Sequence, residues 1–392
     1  MTFDSPVRIT LQLTTSASPR DQLTAAVKRM AFECGLTVSA VTTADPFPDL
    51  ADHLSRHIDA GHLDGMDWYT HERAAFASDV RNLQASAVSI LSVGIAYWPG
   101  PTTKPEDGIA RGRISRYAWG KDYHRVLKRR MNVLLEKIAE YVDRPVDARN
   151  LVDTARVVDR AIAARSGLGW YGKHSCIIVP GHGSWVLLGE LLLDLELTPD
   201  EPLNRNCGSC TICIDACPTQ AIVAPYTIHA PACISFLTIE ERGPIPLDIR
   251  EKMGDWVYGC DVCQEVCPYT KASTPTDDSD LSPKSMNNAY PSLHWLLQMS
   301  PEQYGETYFG TPIPRTKRRG LARNAAVALG NIGGDSDIPI LEQVLLDYDE
   351  PLVRGHAAWA LGRLGGRREL KHAGSIERDA YVQQEISTAS AM

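Results

Sequence analysis

The chain has 392 residues, of which 44% are hydrophobic and 22% are charged, and its formal net charge is −8. This length predicts two or three domains, and the composition is ordinary for a soluble globular protein. The acidic balance excludes nucleic-acid binding through overall charge, so any such binding needs a local basic patch. No window approaches 18 uncharged apolar residues, so no membrane helix is expected. Residues 1–19 lack a secretory pattern, and we expect a flexible extension there in a cytoplasmic protein.

Residues 20–200 have the hydrophobic pattern of an α/β domain. The predicted helices are Asp21–Cys34 and Asp122–Val142, and the predicted strands are Leu36–Val41, Ser89–Tyr97, Cys176–Val179 and Ser184–Leu193. We expect the last two strands to pair with each other across a turn at residues 181–183, where two glycines flank a histidine.

Residues 201–275 form a cysteine-rich module that holds eight of the ten cysteines. Its first run is Cys207-x-x-Cys210-x-x-Cys213-x-x-x-Cys217-Pro218, and its second is Cys260-x-x-Cys263-x-x-x-Cys267-Pro268. In such runs, three closely spaced thiolates surround one cubane cluster and the cysteine before proline ligates a second cluster. The second run lacks one cysteine of the usual four, and Cys233 is the natural substitute.

This spacing predicts two [4Fe–4S] clusters. We assign one to Cys207, Cys210, Cys213 and Cys267, and the other to Cys217, Cys233, Cys260 and Cys263. The alternative is zinc, but zinc sites favour two separated C-x-x-C pairs. The two remaining cysteines, Cys34 and Cys176, are interpreted as buried small hydrophobic residues.

Residues 276–314 are rich in Ser, Pro, Thr and Asp at their start, which indicates a linker and packing segment. Within residues 315–370, N-A-A-V-A-L-G-N-I-G-G and H-A-A-W-A-L-G-R-L-G-G repeat at an offset of 32 residues, with seven of eleven positions identical. Each copy predicts an Ala/Leu-rich helix closed by glycine, and a second helix at Ile338–Leu346 lies between them. The pattern resembles HEAT-like repeats, and the polar residues 371–392 are expected to be a frayed tail.

Two clusters that pass single electrons imply a redox partner elsewhere in the chain. Gly167-Leu-Gly169-Trp-Tyr-Gly172 matches the dinucleotide fingerprint, but a helical stretch precedes it and a strand follows, which is the wrong context. Asp122-Tyr-His124 begins like the D-x-H-x-x-G loop that gives cobalt a histidine ligand, but Leu127 replaces its glycine. Composition alone does not demonstrate cobalamin.

Several motifs, in the same order, resemble those of epoxyqueuosine reductases over about residues 20–366. They are R-Y-A-W-G-K-D-Y-H (116–124), V-D-T-A-R-V-V-D-R (152–160), G-L-G-W-Y-G-K-H-S (167–175), C-I-S-F-L-T-I-E (233–240) and G-T-P-I-P-R-T-K-R-R-G-L-A-R-N (310–324), besides the cysteine runs. The resemblance implies a nitroreductase-like α/β cobalamin domain, a ferredoxin-like two-cluster domain and C-terminal all-α HEAT-like repeats. It also implies base-off cobalamin without a histidine on cobalt, and reduction of epoxyqueuosine to queuosine at the tRNA wobble position.

The same resemblance implies roles for particular residues. Asp153 is the expected proton donor, with capping of the following helix as the alternative. Asp122 and His124 are expected to bind the substrate base. The expected cofactor contacts are Arg116, Arg160, Gly169, Lys173, His174, Ser175 and Asp261.

A basic run provides the patch that tRNA binding needs. Its members are Arg315, Lys317, Arg318, Arg319 and Arg323, and Arg354 could extend it. Phosphate contacts of this kind supply most nucleic-acid affinity, although a solvated helix face is the alternative. We expect a monomer with tRNA and an external low-potential electron donor as partners.

Two other functions are compatible with parts of the sequence. A corrinoid iron–sulfur reductive dehalogenase of small molecules would share the cofactors, but it needs neither the repeats nor the basic patch. An electron carrier without chemistry of its own would need no α/β domain of 180 residues.

Overall fold

The computed structural model describes residues 18–392. Apart from Ser18 and Pro19, the extension predicted for residues 1–19 lies outside the described residues. Ser18 caps the first helix, which begins at Pro19: its hydroxyl accepts from the Asp21 backbone, and the Asp21 carboxylate accepts from the Ser18 backbone. Among residues 18–392, no helix is long and apolar enough to cross a membrane.

The first unit is an α/β layer structure. Its helices are α1 Pro19–Glu33, α2 Leu50–Asp59, α3 His71–Ala77, α4 Tyr123–Tyr141 and α5 Asp159–Arg165. Its strands are β1 Val38–Thr43, β2 Ser89–Ala96, β3 Arg113–Ile114, β4 Ala148–Leu151, β5 Trp170–Tyr171, β6 Ile177–Ile178 and β7 Val186–Leu193. The main sheet has the order β1-β2-β7-β4, with every pairing antiparallel.

Apolar faces on both sides hold this sheet in place. One side packs against α1 and α4 through Val27, Leu127, Met131 and Leu134, and the other packs against α5 through Ile162. Every residue of β2 is buried, as expected for a central strand covered on both faces. The loops at the ends of these strands therefore extend from a sheet that is packed on both faces.

The hairpin predicted between residues 176–179 and 184–193 is wrong. Strand β7 pairs along its whole length with β2 and also pairs with β4, whereas β6 pairs with β5. An isolated bridge from Val179 to Gly183 closes the predicted turn, but in the described residues no strand pairing continues from it into β7. The apolar run of β7 suits the middle of a sheet better than a surface hairpin.

The cysteine-rich unit is built from short elements around its loops. They are α6 Ile212–Asp215, β8 Ile222–Ala224, β9 Thr227–Ile228, α7 Ile234–Ile239, α8 Leu247–Arg250, β10 Trp256–Tyr258, α9 Val262–Glu265 and α10 Pro268–Lys271. The segment expected as a linker contains α11 Met286–Ala289, α12 Leu293–Gln298 and α13 Pro301–Tyr308. It is packed as well as connecting, since Leu293, Leu296 and Leu297 belong to the main core.

The C-terminal unit is a stack of helices. They are α14 Lys317–Ile332, α15 Ile338–Asp347, α16 Pro351–Arg363, α17 Arg367–Gly374 and α18 Ala380–Ser390. The two repeat copies form α14 and α16, whose small residues allow close approach; a Cβ at Gly330 would lie 2.8 Å from Trp359. The expectation of a frayed tail is wrong, because Val382, Ile386 and Ala389 of α18 are buried against the stack.

Two side chains of α14 fasten this stack to the cysteine-rich unit. The fully buried Arg323 donates to the carbonyl oxygens of Leu237 (2.6 Å), Gly243 (2.6 Å) and Glu241 (3.0 Å). Asn324 Nδ2 donates to the carbonyls of Thr238 and Val257, each at 2.8 Å. Arg323 is therefore no part of the exposed basic patch, and that prediction is wrong. Burial lowers its pKa to about 10.

Replacing Arg323 with Met should destabilise the protein by ~3–5 kcal/mol, because one buried and two half-buried carbonyls lose their donor. The urea midpoint, followed by tryptophan fluorescence, measures the loss. Arg319→Met is the matched control: Arg319 is 38% exposed and meets Glu350 at 3.7 Å. Equal midpoints for the two variants would contradict the anchoring role of Arg323.

Candidate active site

A cavity of about 820 Å³ lies where the three units meet. Such a volume is within the range of cofactor and substrate sites. Its walls come from distant parts of the chain: residues 66–69, 153–160, 184–188, 239–240 and 311–315 contribute, as do Tyr97, Tyr117, Asp122, Tyr123, His124, Cys176, Tyr258 and Gln264. The sheet, the cysteine-rich unit and the segment before α14 therefore all face one space.

Asp153 lies on a strained turn at the edge of this cavity. It follows β4 and has a φ of 45°, a left-handed conformation that Asp and Asn tolerate better than most residues. Its Oδ2 accepts a hydrogen bond from the Tyr123 hydroxyl at 2.6 Å, and its side chain is 54% exposed. The capping alternative is excluded, because the next helix begins six residues later, after Val158.

His124 joins Asp153 to the first turn of α4. Its Nδ1 lies 2.9 Å from Asp122 Oδ1, which also accepts from the His124 backbone at 3.0 Å, and its Nε2 lies 3.4 Å from Asp153 Oδ2. The Tyr123 ring stacks on the imidazole, with 4.2 Å between ring centroids. Asp122 thus both caps α4 and orients the imidazole towards Asp153.

This arrangement determines which of the two groups, Asp153 and His124, carries which charge. Desolvation lowers the pKa of His124, but Asp122 and Asp153 outweigh it and raise that pKa to about 9. Desolvation raises the pKa of Asp153, but contacts from His124 and Tyr123 hold it below its usual value. At neutral pH the pair is a carboxylate and an imidazolium. A general acid is expected to have a raised pKa, and Asp153 in this structure has the opposite shift.

Two further carboxyls lie behind Asp153, and the sequence reasoning missed both. Asp159 lines the cavity, and Glu190 lies in the middle of β7 with no exposed surface. Desolvation and the nearby charge of Asp153 raise the pKa of Asp159 to about 7 and raise that of Glu190 well above its usual value. A single acid inside the apolar run V-L-L-G-E-L-L-L was the available signal.

Most residues expected to contact the cofactor lie outside the cavity wall. Arg160 lines the cavity and donates to the Ser175 carbonyl at 2.8 Å. Lys173 donates to the Gly208 carbonyl at 2.7 Å, and the buried His174 lies beside the Cys267 thiol. Gly169 allows close backbone packing, since a Cβ there would lie 2.6 Å from the Ile178 carbonyl. Ser175 is buried, with its hydroxyl unpartnered among the described residues.

Arg116 and Asp261 also lie away from the cavity wall. Arg116 Nη1 lies 3.0 Å from the fully buried Asp261 and 2.5 Å from Glu265, and its guanidinium lies between the rings of Trp119 and Trp185. This buried ion pair joins the α/β unit to the cysteine-rich unit. The two residues therefore serve the interface between those units.

The structure groups the cysteines as two neighbouring sets. Cys213 lies within electrostatic range of Cys207, Cys210 and Cys267, and Cys260 within range of Cys217 and Cys233. Cys263 interacts with Cys260, Cys233 and also Cys176, which lines the cavity. Among residues 18–392, no group of three or more His, Cys, Asp or Glu is placed to hold a single metal ion.

Several cations of the basic run are engaged in contacts within the protein, which its sequence did not indicate. Arg315 is ion-paired with Glu240, lies 5.9 Å from the Trp68 ring centroid and lines the cavity. Arg318 donates to the Tyr348 hydroxyl at 2.7 Å, while Lys317 is exposed with a φ of 61°. Arg354 is largely buried, and its Nε lies 3.0 Å from Glu377. The accessible cations are therefore Arg315, Lys317 and Arg319, with Arg318 partly exposed.

Comparisons with known proteins agree with this geometry. The family model described as "4Fe-4S double cluster binding domain" matches residues 206–270, and the model described as "Epoxyqueuosine reductase QueG, DUF1730" matches residues 78–154. The epoxyqueuosine reductase of Xanthomonas campestris is 38% identical over 87% of this chain and 96% of its own length. The epoxyqueuosine reductase of Escherichia coli is 36% identical over 89% of this chain and 91% of its own length.

Solved structures match over nearly the whole chain. An epoxyqueuosine reductase with a tRNA-Tyr stem loop that carries epoxyqueuosine has a TM-score of 0.88 and 33% identity, covering 94% of this chain and 98% of that one. The Bacillus subtilis enzyme, in a structure with its aspartate catalytic loop swung out of the active site, has a TM-score of 0.87, 32% identity and the same coverage. A catabolic reductive dehalogenase reaches a TM-score of only 0.41 at 14% identity.

Identity above 30% across nearly the full length of these relatives is far more than a shared fold requires. The chain belongs to the epoxyqueuosine reductase family, and it is an oxidoreductase with a domain that binds two [4Fe–4S] clusters.

Proposed function

We propose that this protein reduces epoxyqueuosine to queuosine at the wobble position of tRNA, with cobalamin in the cavity and Asp153 as proton donor. The observation that carries the proposal is the Asp153–His124–Tyr123 constellation, which faces a cavity bordered by both the cysteine-rich unit and the basic segment. The relative solved with an epoxyqueuosine stem loop supports tRNA as the substrate class. A tRNA substrate would place the enzyme in the cytoplasm, and we retain a monomer as the working assembly.

The cavity residues fit a large, amide-bearing cofactor. Its wall combines the apolar side chains of Val186, Leu187 and Leu188 with polar groups such as Arg160 and Ser184. His124 is unsuited to ligate cobalt, because Asp122 holds its Nδ1 and its raised pKa keeps the imidazole protonated at neutral pH, which leaves no free lone pair. This agrees with base-off binding without a histidine on cobalt. When bound, reduced cobalamin would supply the electrons that cleave the C–O bond.

The protein's own groups would manage the protons. Removing the epoxide oxygen as water consumes two electrons and two protons. Asp153 would protonate the oxygen, and a ligand that expels water from the cavity would raise the pKa of this carboxyl. The imidazolium of His124 lies 3.4 Å away and would stabilise the carboxylate that remains. Asp122 and His124 therefore orient the acid and balance its charge, besides any contact with the substrate base.

The cysteine positions indicate an order of electron transfer. Cys263, assigned to the second cluster, lies within electrostatic range of Cys176 in the cavity wall, and the next residue, Gln264, lines the cavity itself. The second cluster would therefore border the active site, and the first, held by Cys207, Cys210, Cys213 and Cys267, would receive electrons from the external low-potential donor. The assignment of the eight cysteines to two clusters remains the one predicted from their spacing.

The basic segment would hold the tRNA backbone. Arg315 lies at the cavity, and Lys317, Arg318 and Arg319 follow it into α14. Cations beside the active site could grip the phosphates next to the wobble base while that base enters the cavity. We also retain the finer fold assignments, nitroreductase-like for the α/β unit and HEAT-like for helices α14 to α18.

Asp153→Asn should lower single-turnover reduction by ~10²–10⁴, because asparagine cannot donate the proton. Asparagine also tolerates the positive φ of this turn, so the loop should keep its shape. Absorption spectra should show unchanged cobalamin binding, and filter binding should show unchanged tRNA affinity. Asp143→Asn is a matched control, since Asp143 has a φ of 51° but does not line the cavity. Normal turnover in Asp153→Asn would remove Asp153 from the mechanism.

Replacing both Lys317 and Arg319 with Ala should weaken tRNA binding and reduce its salt dependence. Each lost phosphate contact removes a slope of roughly 0.7–0.9 in log K against log salt, so the slope should flatten by about 1.5. Arg144→Ala is the control, because Arg144 pairs with Asp194 on the α/β unit. An unchanged slope in the double variant would exclude this surface, and the basic side of α4 would be tested next.

A further inference from the structure

Two carboxyl groups that the proposed mechanism does not use meet behind Asp153. Asp159 is the first residue of α5, and Glu190 lies on β7 opposite Leu151 of β4, two residues before Asp153. The two side chains are within hydrogen-bonding contact of each other. The sheet and α5 therefore bring a buried acid pair up to the loop of the proposed proton donor.

The pair has no compensating donor. Among the described residues, neither carboxylate oxygen of Glu190 has a hydrogen-bond donor, and Asp159 Oδ1 has none. The charged groups that face the pair are Asp153 after β4, Arg160 on α5 and, through Asp153, His124 on α4. Arg160 donates its Nη1 to the Ser175 carbonyl, so it offsets the pair's charge only from a distance.

Two carboxylates in contact cannot both stay ionised in such surroundings, so they share a proton. The pair then holds one proton at neutral pH, whereas Asp153 holds none. Asp159 also lines the cavity, which gives the pair a route to solvent and to the reaction. Buried acids without partners cost stability, so packing alone gives no reason for placing Glu190 at the centre of the sheet.

We propose that Asp159 and Glu190 form a proton reservoir that reloads Asp153 during each turnover. This inference rests on the proposed function. Asp153 would give its proton to the departing oxygen as the C–O bond breaks with electrons from the clusters. The shared proton of the pair would then move to the Asp153 carboxylate, whose pKa is raised while the bound ligand keeps water out of the cavity. The pair, left with one additional negative charge, would regain a proton from water through the cavity.

The test compares Glu190→Gln and Asp159→Asn with the control Glu136→Gln, an exposed position on α4. In reconstituted wild-type enzyme the single-turnover rate should fall as the pH rises above neutrality and the pair loses its shared proton. Both pair variants should be slower, by roughly ten-fold or more, and should lose that step in the pH profile. The control should keep the wild-type rate and profile.

An infrared titration of the chain without cofactors gives a second readout. Wild type and control should show a protonated carboxyl C=O band that persists at neutral pH and disappears only as the pH rises above it, and both pair variants should lack it. This band tests the pair even if no epoxyqueuosine is reduced, so its failure is distinguishable from failure of the proposed function. Absence of the band in wild type at pH 6, or slower variants with an unchanged pH profile, would overturn the reservoir. Asp159→Asn keeps the test valid if Glu190→Gln does not fold.

Discussion

The burial of Arg323 is the constraint on which the arrangement of the three units depends. Its guanidinium satisfies three carbonyls around the end of α7, which leaves no freedom in how α14 meets the cysteine-rich unit. Cys233 stands at the start of α7 and Glu240 directly follows its end. Because Glu240 pairs with Arg315 at the cavity, one buried cation links Cys233, the basic segment and the cavity. A side chain with fewer hydrogen-bond donors than arginine would not hold α14 in this position against the cysteine-rich unit.

Local patterns in the sequence predicted much of this structure, and long-range pairings account for the errors. The cysteine spacing predicts its chemistry because cluster ligation is decided within a few residues. The strand at residues 184–193 was predicted, but its partners β2 and β4 come from distant sequence. Arg323 and Arg319 belong to the same basic run and cannot be told apart from the sequence. Only the packing of α14 against several neighbours distinguishes the buried Arg323 from the exposed Arg319. The spacing of Val382, Ile386 and Ala389 indicated a helix with one apolar face. The polar average composition of residues 371–392 concealed it.

The motif residues around Gly169–Ser175 lie between the cysteine-rich unit and the cavity. Their segment joins the clusters to the cavity: Lys173 bonds to the loop after Cys207, His174 lies beside Cys267, and Cys176 reaches the cavity wall. Arg116 and Asp261 join the same two units through a buried ion pair. These contacts fix the separation between the cysteine-rich unit and the cavity.

The three carboxyls near the cavity differ because their surroundings differ. Asp153 receives hydrogen bonds and faces an imidazolium, which favours its charged form, while Glu190 and Asp159 receive neither and favour a shared proton. An enzyme that cleaves a C–O bond needs an acid that can be protonated again, not only one that is protonated once. Asp153 is charged in the open cavity, so it must gain a proton when a ligand expels water and raises its pKa. A neighbouring acid pair that already holds a proton would supply it directly, which gives the buried position of Glu190 a use in the proposed reaction.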